Sequence, residues 1–218
     1  MNKILWFTKF AFLLTLSHIL KTSVKSVNPL YFQYLFPLFA NRLLYKSRPE
    51  YQAYLQWLNV PGNESNNPLL LLARSGGKRA TDLLEVFPYP ERNAAGNYEF
   101  YFFSRELRHL SKETLEKINL MSLGEQLLLV PSSQNEHDTY AIALQTNNSV
   151  KVGYCPPYWA ENFWQMMENM KQIDLTVVKV NREAPLQFRL LCKWVFDLPE
   201  GFQPFLDEDF HEITLSAG

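Results

Sequence analysis

The side chains able to do chemistry are few and scattered. Four histidines, His18, His109, His137 and His211, offer no pair at i,i+3 or i,i+4 spacing, so no helix presents two of them on one face. His137 adjoins Asp138 in the polar run 131–139 (PSSQNEHDT), where a solvated loop pair competes with a ligand pair. No zinc signature is present. Cys155 follows Tyr154, and Cys192 lies in the apolar run LLCKWVF; both read as small buried apolar side chains rather than activated thiolates. No Gly-x-Ser-x-Gly elbow occurs, so covalent catalysis has no visible nucleophile. Ser75-Gly76-Gly77-Lys78-Arg79 sets backbone N–H groups beside two cations without the spacing of a Walker loop. Either it is a surface turn, or Arg74, Lys78 and Arg79, the densest basic cluster of the body, touch phosphate.

Charge is distributed unevenly. The 218 residues sum to −1, with 21 Lys and Arg against 22 Asp and Glu. Residues 1–48 hold seven bases and no acid, so residues 49–218 carry 14 bases against 22 acids, a net of −8. A basic, aromatic arm thus precedes an acidic body. An apolar fraction of 47% and 15% aromatics exclude a disordered or low-complexity chain. Two cysteines exclude a disulfide framework. The arm begins Met1-Asn2-Lys3 and resembles a secretory n-region and h-region, but Lys9 and His18 interrupt its apolar run and no small-x-small site follows up to Lys25. The uninterrupted stretch 10–17 is too short to span a bilayer, which needs about 20 apolar residues. An amphipathic helix packed on the body is the simplest role for 1–25; a helix on the membrane surface is the alternative.

The elements that must hold any site follow from periodicity. Residues 51–58 (YQAYLQWL) place Tyr51, Tyr54, Leu55 and Leu58 on one helical face. Residues 69–73 form an apolar run too short to assign. Residues 83–87 and 98–103 read as strands, with a turn at 94–97. Ser111 is placed to cap a helix over 111–120. Strands are expected at 126–130, 140–144 and 150–154, the last two joined at Asn147-Asn148-Ser149. Pro156-Pro157 opens a helix, and strands follow at 175–180 and 187–194. Short strands with frequent turns and two intercalated helices indicate a small barrel or sandwich.

The run 127–158 (LLLVPSSQNEHDTYAIALQTNNSVKVGYCPPY) goes further. An apolar strand, a loop with Asn135 and Asp138, a small-apolar strand, a turn, a strand ending Val152-Gly153, then Pro156 and a helix resemble the HIRAN domain family. Leu107-Arg108-His109 is similar to the family's first strand, and the likeness covers about 98–198. The flanking runs LFPLFANRLL, LLARSGGKRATDLLEVFP and FRLLCKWVFDLPEGFQPF resemble bacterial HIRAN-domain proteins. The likeness implies an OB-like barrel and a role in binding. It places Asn135 and Asp138 at a pocket for the 3′-terminal nucleotide of single-stranded DNA, with Asp138 accepting from a free 3′-hydroxyl, and Arg108 on backbone or base. Three positions depart from the family pattern: His109-Leu110 replaces two aromatics, His137 replaces Tyr, and Tyr154 replaces His. Tyr140, Tyr154 and His109 are candidate replacement stacking faces, and His137 stays within the pocket loop. Asn135 and Asp138 are equally good loop formers that bond their own backbone.

The expectation is therefore an α+β chain: a helical arm at 1–48, a mixed α/β lead-in at 49–97, an OB-like HIRAN barrel at 98–198 and an acidic tail at 199–218. It is expected to be non-enzymatic, free of cofactor and metal, cytoplasmic rather than anchored through 1–25, and to bind single-stranded nucleic acid, DNA before RNA. Residues 98–200 carry 10 bases against 13 acids, net −3, which requires a locally positive pocket. The rival is a protein-interaction module whose acidic body and aromatic tail, Trp194 to Phe210, meet a partner.

Overall fold

Asn67 and Pro68 show how local chemistry sets the elements. The Asn67 side-chain oxygen accepts from the N–H groups of Leu69 and Leu70, and Pro68 takes the first helical position, where its missing N–H costs nothing. Gly76 closes the same helix in the left-handed conformation at φ 78°. The structure, a computed structural model, describes residues 4–7, 37–79, 81, 85–88, 92–132, 139–167 and 173–205. It divides into two compact units: Met1–Pro90 with Phe205–Gly218, and Glu91–Pro204.

In the first unit, strand β1 (Ile4–Phe7) is followed by helices α1 (Pro37–Ala40), α2 (Tyr51–Trp57) and α3 (Pro68–Ser75), then strand β2 (Glu85–Pro88). β1 and β2 pair antiparallel from Ile4 opposite Pro88 to Phe7 opposite Glu85. Within the helical arm expected at 1–48, residues 4–7 are a strand instead, whereas Pro37–Ala40 is helical. Ile4-Leu5-Trp6-Phe7 is β-branched and aromatic, and a distant strand supplies the hydrogen-bond ladder that outweighs its helical spacing. Phe39, Leu72 and Val86 form a buried cluster with Leu43, Leu69 and Ala73 packed against it. Phe87 meets Phe205 with ring centroids 5.3 Å apart.

In the second unit, β3 (Tyr98–Phe103), α4 (Lys112–Asn119), β4 (Leu127–Pro131), β5 (Ile142–Thr146), β6 (Lys151–Tyr154), α5 (Pro157–Met166), β7 (Ile173–Val180) and β8 (Leu190–Phe196) follow in order. Ser111 caps α4 by accepting from the Thr114 N–H at 3.1 Å, as its position predicts. Two antiparallel three-stranded sheets form, ordered β3-β8-β7 and β4-β5-β6. Among the described residues isolated bridges join them, Gln126 to Thr176 and Arg105 to Tyr154. The α+β class with antiparallel sheets stands, but among the described residues the continuous ladders stop at three strands each and do not close into a barrel.

The core of this unit is aromatic. Trp159 and Trp194 are fully buried, 5.5 Å apart edge-to-face, and Phe100, Phe163 and Phe196 pack around them. Hence the rings of the expected tail interface are largely spoken for: Trp194, Phe196 and Phe205 are buried, while Phe210 lies outside the described residues. Among the described residues no helix is long and apolar enough to cross a membrane.

Candidate nucleic-acid interface

Gly153 is where the second unit draws its segments together. Its φ of +125° lies where side chains are rarely tolerated, and a Cβ there would stand 1.9 Å from Ser104 Oγ, 2.7 Å from the Arg105 carbonyl oxygen and 3.2 Å from Leu107 Cδ1. The segment just after β3 therefore lies directly on β6. Ser104 is buried and donates from Oγ to the Val152 carbonyl at 2.7 Å. Arg105 and Tyr154 exchange both backbone hydrogen bonds, at 3.0 and 3.1 Å.

That pairing lays the segment leading to Arg108 and His109 against the strand that carries Lys151 and Tyr154. Arg108 and His109 lie in a single 3-10 turn, Leu107–His109, anchored by buried Leu107. Their side chains are exposed by 73% and 67%. Arg108 Nε donates to His109 Nε2 at 2.9 Å, and Glu106 Oε2 lies 3.3 Å from Arg108 Nη2 and 3.2 Å from His109 Nε2. Across the Arg105 bridge, Tyr154 carries the Lys151 ammonium 5.1 Å from its ring centroid and 3.3 Å from its hydroxyl. The geometry thus assembles a guanidinium, an imidazole, an ammonium and a phenol on neighbouring segments.

Tyr140 stands 43% exposed, its carbonyl accepting from Trp164 Nε1 at 3.0 Å. Ser132 N donates to the Ala141 carbonyl and Cys155 N to the Ile142 carbonyl. These bonds bring Ser132 and Ala141, which bracket residues 133–138, to the sheet end where Tyr154 and Cys155 lie. Asn135, His137 and Asp138 themselves lie outside the described residues.

The other basic cluster belongs to the first unit and is engaged there. Lys78 pairs with buried Glu85 at 2.8 Å, Arg79 donates to the Asn41 carbonyl, and half-buried Arg74 ends α3. Buried Arg42 donates to the Gly77 carbonyl at 2.9 Å, which orders this glycine turn from below.

Two participants escape a sequence reading. Lys151 is three residues from Tyr154, a spacing that regular strand alternation sends to the opposite face, and the register shift between Lys151 and Gly153 breaks that alternation. Glu106 adopts a left-handed backbone (φ 60°, ψ 26°) that no residue type announces, since glutamate is uncommon there. A cleft of about 220 Å³ also opens beside α4 and the β5–β6 turn, lined by Lys117, Glu125, Thr146 and Asn148 among others. Arg108, His109, Tyr140 and Tyr154 do not line it.

The cysteines are as inert as their surroundings suggest. Both are buried and neither forms a disulfide. Burial pushes the Cys155 thiol far above its ordinary range, helped by Cys192 and opposed by Arg105, and burial does the same at Cys192. Neither thiol is expected to react with a disulfide reagent at neutral pH in the native protein, whereas both react in denaturant; rapid native labelling would contradict this burial. Among the described residues no three His, Cys, Asp or Glu side chains group closely enough to hold a metal ion.

The site thus holds an exposed ammonium on an aromatic face and an exposed guanidinium on a neighbouring segment, on a scaffold of short antiparallel sheets. Residues 97–199 match the family model of the HIRAN domain, so the chain carries a HIRAN domain. HIRAN domains are generally nucleic-acid-binding modules rather than catalytic ones. The crystal structure of the HIRAN domain of human HLTF is similar at 18% identity, covering 50% of this chain and 84% of that one with a TM-score of 0.37. A Lactobacillus plantarum protein of known crystal structure is similar at 17% identity, covering 47% and 100% of the two chains, also with a TM-score of 0.37. No curated protein matches.

Proposed function

We propose that this chain binds single-stranded DNA at its 3′ end through the HIRAN domain, without catalysing a reaction. The observation that carries the reading is the Arg105–Tyr154 bridge, which lays the segment leading to Arg108 and His109 on the strand that carries Lys151 and Tyr154. Cations next to an aromatic face supply both halves of single-strand binding, phosphate neutralisation and base stacking. Asn135, His137 and Asp138 complete the pocket in this reading, with Tyr140 and Tyr154 as stacking faces. Asp138 accepts from the terminal 3′-hydroxyl and repels a 3′-phosphate. The two isolated bridges support an OB-like arrangement of the two sheets.

Fluorescence anisotropy with a labelled single-stranded 10-mer tests the end recognition. A hydrogen bond to a charged acceptor contributes about 1.5–3 kcal/mol, so the 3′-hydroxyl strand is expected to bind about tenfold or more tighter than its 3′-phosphate counterpart. Asp138→Ala is expected to erase that preference. Equal affinity of the wild-type protein for both ends would refute 3′-end recognition.

A further inference from the structure

Glu106 is an odd residue for its place. Its left-handed backbone is fixed from both sides, by the Arg105–Tyr154 pairing before it and by the His109 N–H, which donates to the Glu106 carbonyl at 3.1 Å, after it. Glycine or asparagine meets that conformation at less cost. What glutamate adds is a carboxylate, and Oε2 lies within 3.3 Å of both Arg108 and His109. All three side chains are at least 48% exposed, and ion pairs so open to solvent add little to stability.

We propose that Glu106 is an acid clamp on Arg108 and His109, occupying the position of a nucleic-acid phosphate and setting how tightly the site takes a single strand. The proposal rests on the reading that Arg108 faces the nucleic-acid backbone. Carboxylate and phosphodiester oxygens are equivalent acceptors for a guanidinium, so an incoming phosphate must displace Glu106 before it can pair with Arg108. The displaced carboxylate then repels the phosphate that replaced it. His109 belongs to the same cluster, its Nε2 accepting from Arg108 Nε and lying 3.2 Å from Glu106 Oε2. The clamp thereby makes this module weaker and less salt-sensitive than its cations alone would allow.

Glu106→Gln tests the clamp, because it keeps size and removes the charge. With the 3′-hydroxyl 10-mer at low salt, this variant is expected to bind about two- to fivefold tighter than the wild type. The slope of log K against log salt is expected to steepen by about 0.7, the increment for one more phosphate neutralised on a single strand. In an Arg108→Ala background the same substitution is expected to change nothing. Glu116→Gln, an exposed acid of α4, controls for overall charge and is expected to have the smaller effect. The clamp is overturned if wild type binds and Glu106→Gln binds no better, or if the gain persists without Arg108. If neither protein binds the strand, the nucleic-acid reading of the site falls and the clamp falls with it.

Discussion

Gly153→Ala is expected to lower the stability of this protein by about 3–5 kcal/mol, the sum of backbone strain and a displaced buried hydrogen bond. The backbone contribution arises because φ is +125°. The contact contribution is larger and specific, with the new methyl 1.9 Å from Ser104 Oγ and 2.7 Å from the Arg105 carbonyl oxygen. Ser104 cannot simply swing aside, since its hydroxyl satisfies the Val152 carbonyl at 2.7 Å in a buried position. Nor can Arg105 retreat without breaking its paired hydrogen bonds to Tyr154. Gly124 supplies the comparison: its φ is +78° but nothing lies within 4 Å of its would-be Cβ, so Gly124→Ala incurs strain alone. Urea unfolding followed by tryptophan fluorescence separates the two. Ser104→Gly in the Gly153→Ala background is expected to recover part of the loss. Equal midpoints for the two alanine variants would mean that the segment after β3 does not lie on Gly153. Because this contact lays the segment leading to Arg108 on β6, the result bears on the candidate site as well as on the fold.

Trp159→Ala is expected to cost about 3–5 kcal/mol, comparable with the whole stability of a marginal domain of about 5–15 kcal/mol. Trp159 is fully buried on α5 and touches the rings of Phe100, Trp194 and Phe196 at 5.4–5.5 Å between centroids. These partners come from β3 and β8, so the side chain ties the helix to the sheet. Trp159→Phe keeps a ring in the site and is expected to cost less. Thermal unfolding ranks the two variants, and an alanine variant as stable as the wild type would mean that α5 is not part of this core.

Local signals were strong where local chemistry decides. Strand β3 at 98–103, the Ser111 cap and the β5–β6 turn at Asn147-Asn148-Ser149 are all legible, because each rests on residue types adjacent in sequence. Helix α3 was not legible: Leu69 to Ala73 is too short and uniform to show a period, and Asn67-Pro68 and Gly76, which cap it, serve loops equally well. Strand β1 was hidden because its partner, β2, is distant in the chain, and pairing of that range leaves no local trace. The order of strands within the sheets was hidden for the same reason.

The site divides likewise. Arg108, His109, Tyr140 and Tyr154 come from a family likeness carried by motif order, and the structure brings Arg108, His109 and Tyr154 onto adjoining segments. Glu106 and Lys151 were not legible, because their positions follow from two local backbone irregularities, the left-handed turn at Glu106 and the register shift before Gly153. Irregularities of that kind follow from the closeness of the segments at 104–107 and 152–154, a tertiary fact.

Binding of a labelled single-stranded 10-mer, titrated at low and at raised salt with wild type and with the Arg108→Ala, Tyr154→Ala double variant, tests the role of this HIRAN domain most directly. The expected result is binding that weakens as salt rises and falls about tenfold or more in the double variant, since stacking alone contributes about 1–3 kcal/mol per base. Absence of binding at low salt, or binding indifferent to both salt and the substitutions, would contradict it.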